Sequence, residues 1–478
     1  MHSSAARQPG RRGFGAMMGQ RWSQPNGYRQ VLAIGLPMVI SMVSTTAMHF
    51  TDRMFLAQYS LVAIAAAMPA AMASFLFMAF FMGTAGYVNV FVAQYIGAGA
   101  PRRVGAALWA GVWFSVASGA LMAALWFAAE PIFAFGGHEP AVRELEVVYF
   151  RWLNLGAGVG VLQSSLSCFF SGRGLTRPVM LVNLTGALVN VPLDYALING
   201  AWGFPELGIL GAALATIAGW VVMAALFVLL IFTPRQERRF GVISAWRPEW
   251  SLFKRLMRYG LPAGVQFWLD ITAFTLFVFL VGRLGILELA ATNIAFSIST
   301  LSFLPMIGFS IALSTLVGQA VGQGRPDLAR TATTSALHLT LAYMGLVAGL
   351  FLLLPGLLVD LFIPRDQPPA EAARIADLGA LLLRYVAVYC FFDAVSIIYM
   401  AALKGAGDSR YVMLAMAALA GLVLVLPVYL GVEHLGWGLH GVWSCIIVYL
   451  ALLGLANWRR FRGGAWTRMR VVETAPST

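Results

Sequence analysis

Twelve long, largely apolar stretches separated by short polar turns fill most of this chain. They are read at roughly 31–56, 61–96, 105–129, 147–171, 179–200, 209–232, 259–283, 289–320, 332–358, 378–402, 411–430 and 439–458. A bilayer core is about 30 Å thick, so a helix of about 20 apolar residues crosses it. The stretches lack the two-residue alternation of a membrane barrel. The expected fold is all-α: a polytopic membrane protein with twelve transmembrane helices. With 60% hydrophobic residues, 11% charged and a mean hydropathy of +0.78, a soluble globular fold is excluded.

The pattern is written twice. Gly35-Leu36-Pro37 recurs as Gly260-Leu261-Pro262, an offset of 225 residues. At the same offset Gly83 recurs as Gly308, and AQYIGAGAP from Ala93 as GQAVGQGRP from Gly318. More loosely, SGRGLTRPVM from Ser171 matches LKGAGDSRYVM from Leu403. Duplicated hydrophobic halves are how many transporters build a path between two bundles. The expected division is a disordered tail over 1–28, a six-helix lobe over 29–232, a linker over 233–258, a second six-helix lobe over 259–458 and a tail over 459–478.

Charge sets the expected orientation. Most of the 32 Lys and Arg fall in the tails, the central linker and alternate loops, including Arg7, Arg11, Arg12, Arg102, Arg103, Arg173, Arg255, Arg330 and Arg460. The other loops hold Glu130, Glu139, Glu144, Glu206, Asp360, Asp366, Glu371 and Glu433. By the positive-inside rule both termini are cytoplasmic in a bacterial inner membrane. The net charge of +12 is thereby accounted for at helix ends, and no nucleic-acid partner is expected. No cleavable signal peptide is evident. Cys168, Cys390 and Cys445 have no metal-ligand spacing and read as packing residues. The glycine clusters at 97–99 and 172–174 lack the setting of a phosphate loop. The six histidines are scattered, which argues against an enzyme.

Four carboxylates interrupt the apolar stretches: Asp52 in MHFTDRMF, Asp194 in NVPLDYAL, Asp270 in FWLDITAF and Asp393 in YCFFDAVS. A charge at the bilayer centre costs at least about 2.5–3.5 kcal/mol, so these acids are expected to face a polar cavity, to pair, or to carry protons. The bland alternative is a structural polar network or a span drawn too far inward. Arg53, directly after Asp52, leaves open an interfacial ion pair there. Asn190 precedes Asp194, and Tyr389 precedes Asp393, by one helical turn and on the same face. Such a group of amide, hydroxyl and carboxylate oxygens suits a weakly held hard cation. A buried carboxyl can also hold a proton in one conformation and release it when water or a cation arrives.

Taken in order, Leu36-Pro37 with an acid late in the first helix, AQxxGAG after the second, SGRGLTRP after the fourth and N-x-x-x-D in the fifth resemble the MATE family (multidrug and toxic compound extrusion transporters). ELGILGAALAT before the sixth helix, an acid in the seventh, YxxxDA in the tenth and LKGAGD after it continue the likeness, from about residue 29 to 458. The resemblance implies lobes related by a pseudo-two-fold axis along the membrane normal, around a V-shaped cavity open alternately to either side. It implies antiport, in which H⁺ or Na⁺ enters while an amphipathic organic cation leaves. Asp52, Asn190, Asp194 and Thr216 match the cluster some members use for cation coupling in the first lobe. Asp270, Tyr389 and Asp393 match the cation-binding cluster others use in the second, the place for Na⁺ if that is the coupling ion. Both sets are present, so the coupling ion stays open. The expected partners are small organic cations and membrane lipids, with no cofactor and a monomeric state.

Two other readings stay in view. A flippase for a lipid-linked oligosaccharide or cell-wall precursor of the same superfamily would place cationic residues in the cavity, whereas the deep charges here are mostly acidic. A major-facilitator transporter would carry a basic motif after the second helix, for which AGAPRR is too weak.

Overall fold

The computed structural model describes residues 21–363 and 368–473. The basic residues Arg7, Arg11 and Arg12, most of the expected N-terminal tail, and Asp366 lie outside the described residues. Twelve helices are long and apolar enough to cross a membrane. They are α1 (Tyr28–Tyr59), α2 (Leu61–Gly97), α3 (Arg103–Ala124), α4 (Pro140–Ser171), α5 (Thr176–Asn199), α6 (Ile209–Ile231), α7 (Trp250–Val281), α8 (Ile286–Gly322), α9 (Pro326–Leu353), α10 (Pro369–Ala406), α11 (Ser409–Glu433) and α12 (Leu439–Arg462).

Their starts explain where hydropathy misleads. Helices α4, α7 and α10 begin well before their apolar stretches, in polar turns that hydropathy scores as loop. Pro140 and Pro369 open two of them at the first helical position, where a missing N–H is harmless. Residues 250–258 of the expected linker therefore belong to α7, and Pro234–Phe240 of the same linker forms a short helix capped by the Thr233 side chain. Of the two longest stretches, α2 breaks at Tyr87, whereas α8 runs unbroken for 37 residues. In α11 the turn Ala420–Val425 widens just before Pro427, whose ring removes a ladder donor.

The two sets of six helices meet through contacts that obey the sequence offset. Phe309 packs on Gly35, and at the same offset Thr84 packs on Gly260. Helix α2 crosses α7 at Gly83 and Gly264, while α8 crosses α1 at Gly308 and Val39. A methyl added to Gly83 would lie 2.9 Å from the Gly264 Cα, so only a bare backbone permits this approach. The repeated turns clasp each other. The Gly97 backbone abuts the Gln319 carbonyl and the Gly322 backbone abuts the Gln94 carbonyl, where a methyl would sit 2.1 and 2.2 Å from oxygen. Gln94 Nε2 donates to the Gly405 carbonyl at 3.1 Å, and Gln319 Nε2 donates to the Gly172 carbonyl at 3.0 Å. Reciprocity of this kind requires an approximate internal two-fold axis.

The closure is confined to one end. Among the described residues the hydrogen bonds between the halves all lie near the termini, here termed the basic face. Asn89 Nδ2 donates to Thr315 Oγ1 at 3.0 Å, Thr315 Oγ1 donates to the Ser171 carbonyl at 3.2 Å, and the Tyr87 hydroxyl donates to the Lys404 carbonyl at 2.9 Å. Tyr28 pairs with His338 at 2.8 Å. Arg103 grips Glu249 through two bonds of 2.7 and 2.8 Å, which hold that carboxyl below its ordinary range. Arg173 lies 4.3 Å from the Phe240 ring and 4.7 Å from the Phe169 ring, and burial pulls its guanidinium down to about 10. Toward the opposite face the cores separate. One lies within α1–α6 around Phe133, Phe150 and Ile198, and another within α7–α12 around Phe277, Leu383 and Trp443.

The perimeter is apolar. Phe127, Phe135, Ile286 and Leu346 stand almost fully exposed, as side chains do where lipid takes the place of water.

Candidate cation sites in the two halves

In the first half, α1 supplies Asp52, α5 supplies Asn190 and Asp194, and α6 supplies Thr216. All four are buried, and Asn190 and Asp194 are 0% exposed. Gly219 on α6 lets Asn190 approach, its added methyl meeting the Asn190 Cβ at 3.3 Å. Thr216 Oγ1 donates to Asp52 Oδ2 at 3.2 Å, and His49 Nδ1 stands 3.8 Å from the same oxygen. Asp52 and Asp194 lie close enough to interact directly, with the Tyr149 ring in the field of both. Yet Asp52 Oδ1, both oxygens of Asp194 and both polar atoms of Asn190 have no hydrogen-bond partner. Sealed carboxylates without donors cost several kcal/mol unless a positive charge lies with them. Arg53 does not supply it: its side chain is exposed and pairs with no acid among the described residues. The ion pair that adjacency left open is not made.

In the second half, α7 carries Asp270 and α10 carries Tyr389 and Asp393. The two acids are half-buried and interact with each other. The Tyr389 hydroxyl shares a hydrogen bond with Ser299 Oγ of α8 at 2.9 Å. The helical spacing does set Tyr389 on the side of Asp393, but the nearer hydroxyl on α8 takes its bond. The Tyr449 hydroxyl of α12, buried without a partner, senses both acids.

Two ionisable groups escaped the reading of the sequence. Lys404 was assigned to the turn after α10, but the helix extends to Ala406 and carries it inward. Its Nζ donates to Gln266 Oε1 at 2.9 Å, one turn from Asp270, with which it interacts. Glu146 fell just outside its apolar stretch, and because α4 begins early it is fully buried. Its Oε1 lies 2.7 Å from His138 Nδ1, and its Oε2 is unpartnered. Among the aromatics, Phe267 meets Phe75 across the halves at 6.4 Å, whereas Phe296 packs at a tilt on Trp443 and Phe309 lies against Gly35.

Twelve membrane-length helices in two related halves, with acids held inside each, define an integral membrane transporter rather than an enzyme. The family model described as MatE matches residues 37–196 and 262–430, starting once in each repeat at the same offset of 225. The chain belongs to the MATE family. It is 32% identical over 430 residues to the multidrug resistance protein NorM of Burkholderia vietnamiensis, covering 87% of this chain and 91% of that one. It is 28% identical over 457 residues to a probable multidrug resistance protein NorM of Rhizobium meliloti, covering 95% and 96%. A solved structure described as the outward-facing conformation of a multidrug resistance MATE family transporter of the MOP superfamily matches with a TM-score of 0.83 and 20% identity. That match covers 94% of this chain and 98% of the other, and it speaks for the fold.

Proposed function

We propose that the chain is a secondary-active exporter of amphipathic organic cations, a multidrug transporter driven by counterflow of H⁺ or Na⁺. The observation that carries this reading is the set of orphaned polar atoms at Asp52, Asn190 and Asp194, sealed from solvent, with the half-exposed His49 only at the edge of the cluster, 3.8 Å from Asp52 Oδ2. Such a cage takes up a positive charge in this conformation and must open to give it up. The relatives' names, multidrug resistance proteins, support the substrate class. The half-buried Asp270 and Asp393 suit a bulky organic cation, which needs a counter-charge within reach of an open cleft. Lys404 would occupy part of that field when no substrate is present. With closure at the basic face and separate cores beyond it, the conformation corresponds to release away from that face, which we assign to the cytoplasm. One charge moving down the membrane potential is worth about 2.3 kcal/mol per 100 mV, enough for a substrate gradient of roughly 40-fold.

A flippase for a diphosphate-linked lipid gains one feature, Lys404, but this ammonium is spent on Gln266 and opposed by Asp270. Efflux of ethidium from proteoliposomes under an imposed pH gradient, and separately a Na⁺ gradient, tests the reading. Efflux driven by one gradient identifies the ion, and none under either overturns the proposal.

A further inference from the structure

The C-terminal segment does not hang free. Val471 and Val472 are 1% and 6% exposed and belong to the core built by α2–α7. The Val471 N–H donates at 3.0 Å to Gln94 Oε1, the side chain whose Nε2 spans the halves to Gly405. The segment thus runs over the seam at the basic face, passing Gly407 on one side and Gln94 on the other.

Between this segment and the start of α7 lies a cavity of about 190 Å³. Its lining includes Arg255, Arg258 and Arg470 with Tyr259. Glu473 sits 3.0 Å from Arg255 and is shared with Arg103 at 3.5 Å. Arg258 and Arg470 have no carboxylate partner among the described residues. Four guanidiniums, Arg103 included, against the two carboxylates Glu249 and Glu473 leave an excess of positive charge around a concave site. Guanidinium forks match the oxygens of phosphate. Trp246 and Trp250, both more than half exposed, flank the beginning of α7 as aromatic side chains do at headgroup depth.

We propose that this cavity binds a phosphate group, carried by an anionic phospholipid or free in solution, between Arg255 and Arg258 of α7 and Arg470 of the C-terminal segment. Occupancy ties that segment to α7 over the closed seam. This site is separate from the acids that serve transport, so it stands or falls independently of the exporter reading.

The full chain in a neutral detergent is titrated with inorganic phosphate, and in parallel placed in phosphatidylcholine nanodiscs with and without phosphatidylglycerol, with thermal unfolding and tryptic cleavage after Arg470 as readouts. Wild type should gain melting temperature and lose cleavage as the anion is added. Arg258→Gln/Arg470→Gln should bind about tenfold or more weakly, read from melting alone. Should that variant misfold, Arg258→Lys/Arg470→Lys keeps the charge, loses the fork and should still weaken binding. A response to phosphatidylglycerol only identifies the lipid headgroup; a response to both shows that phosphate alone suffices. No response to either, or the same response in wild type and the variants, overturns the proposal.

Discussion

Asp194 is a sealed carboxyl with no hydrogen-bond partner on either oxygen, and it lies in the field of Asp52. Replacing it removes a burden on folding and, on the proposed reading, a group that couples transport to the driving ion, so the two effects separate. Asp194→Asn should keep or raise the melting temperature in detergent and lower gradient-driven efflux by about tenfold or more. Arg53→Ala should change efflux by about twofold or less, because the guanidinium is exposed and pairs with no acid among the described residues. Equal losses in both variants would return Asp52 and Arg53 to the interfacial pair that their adjacency suggested. The acids themselves were legible because a carboxylate in an apolar stretch demands a reason. Asn190 was legible from its place one turn before Asp194, whereas Thr216 carries no such signal and only the family likeness singled it out. The Ser299 bond of Tyr389 depends on how α8 packs against α10, which local spacing does not encode.

At the scale of elements, the paired turns after α2 and α8 lock the basic face by backbone contact, and each leaves no room for a side chain. Gly97→Ala and Gly322→Ala should therefore weaken the closed state alike, by about 1–3 kcal/mol of overpacking. Spin labels on either side of the seam should show a larger share of molecules open there. A shift in one variant only would contradict the two-fold relation. The Arg103–Glu249 clasp gives a milder, pH-dependent contribution. Glu249 is held below its unfolded value, so its stabilisation is full above that value and vanishes as pH falls through the lowered one. The pair is partly solvent-exposed, so the gain is no more than about 1 kcal/mol. Glu249→Gln should melt below wild type at neutral pH, and the two curves should converge in acid. Helix number and order were plain from hydropathy. Helix starts were not, because α4, α7 and α10 begin in polar turns, and that shift is what hid Glu146.

For the whole molecule, the repeat set both the fold and its axis, and the candidate sites lie where the repeat fails. At the offset of 225, Asp52 has Phe277 as its counterpart and Asp270 has Thr45. One half thus holds sealed acids with the half-exposed His49 at their edge, and the other holds half-buried acids with Lys404 nearby. On the proposed exporter reading, the first half takes the driving ion and the second faces the exported cation. The most direct test uses proteoliposomes of Asp194→Asn and Asp393→Asn with ethidium, comparing gradient-driven efflux with exchange at equal ion concentrations. The account predicts that Asp194→Asn loses the response to the gradient and keeps exchange, while Asp393→Asn loses both. Wild-type gradient drive in Asp194→Asn would contradict it.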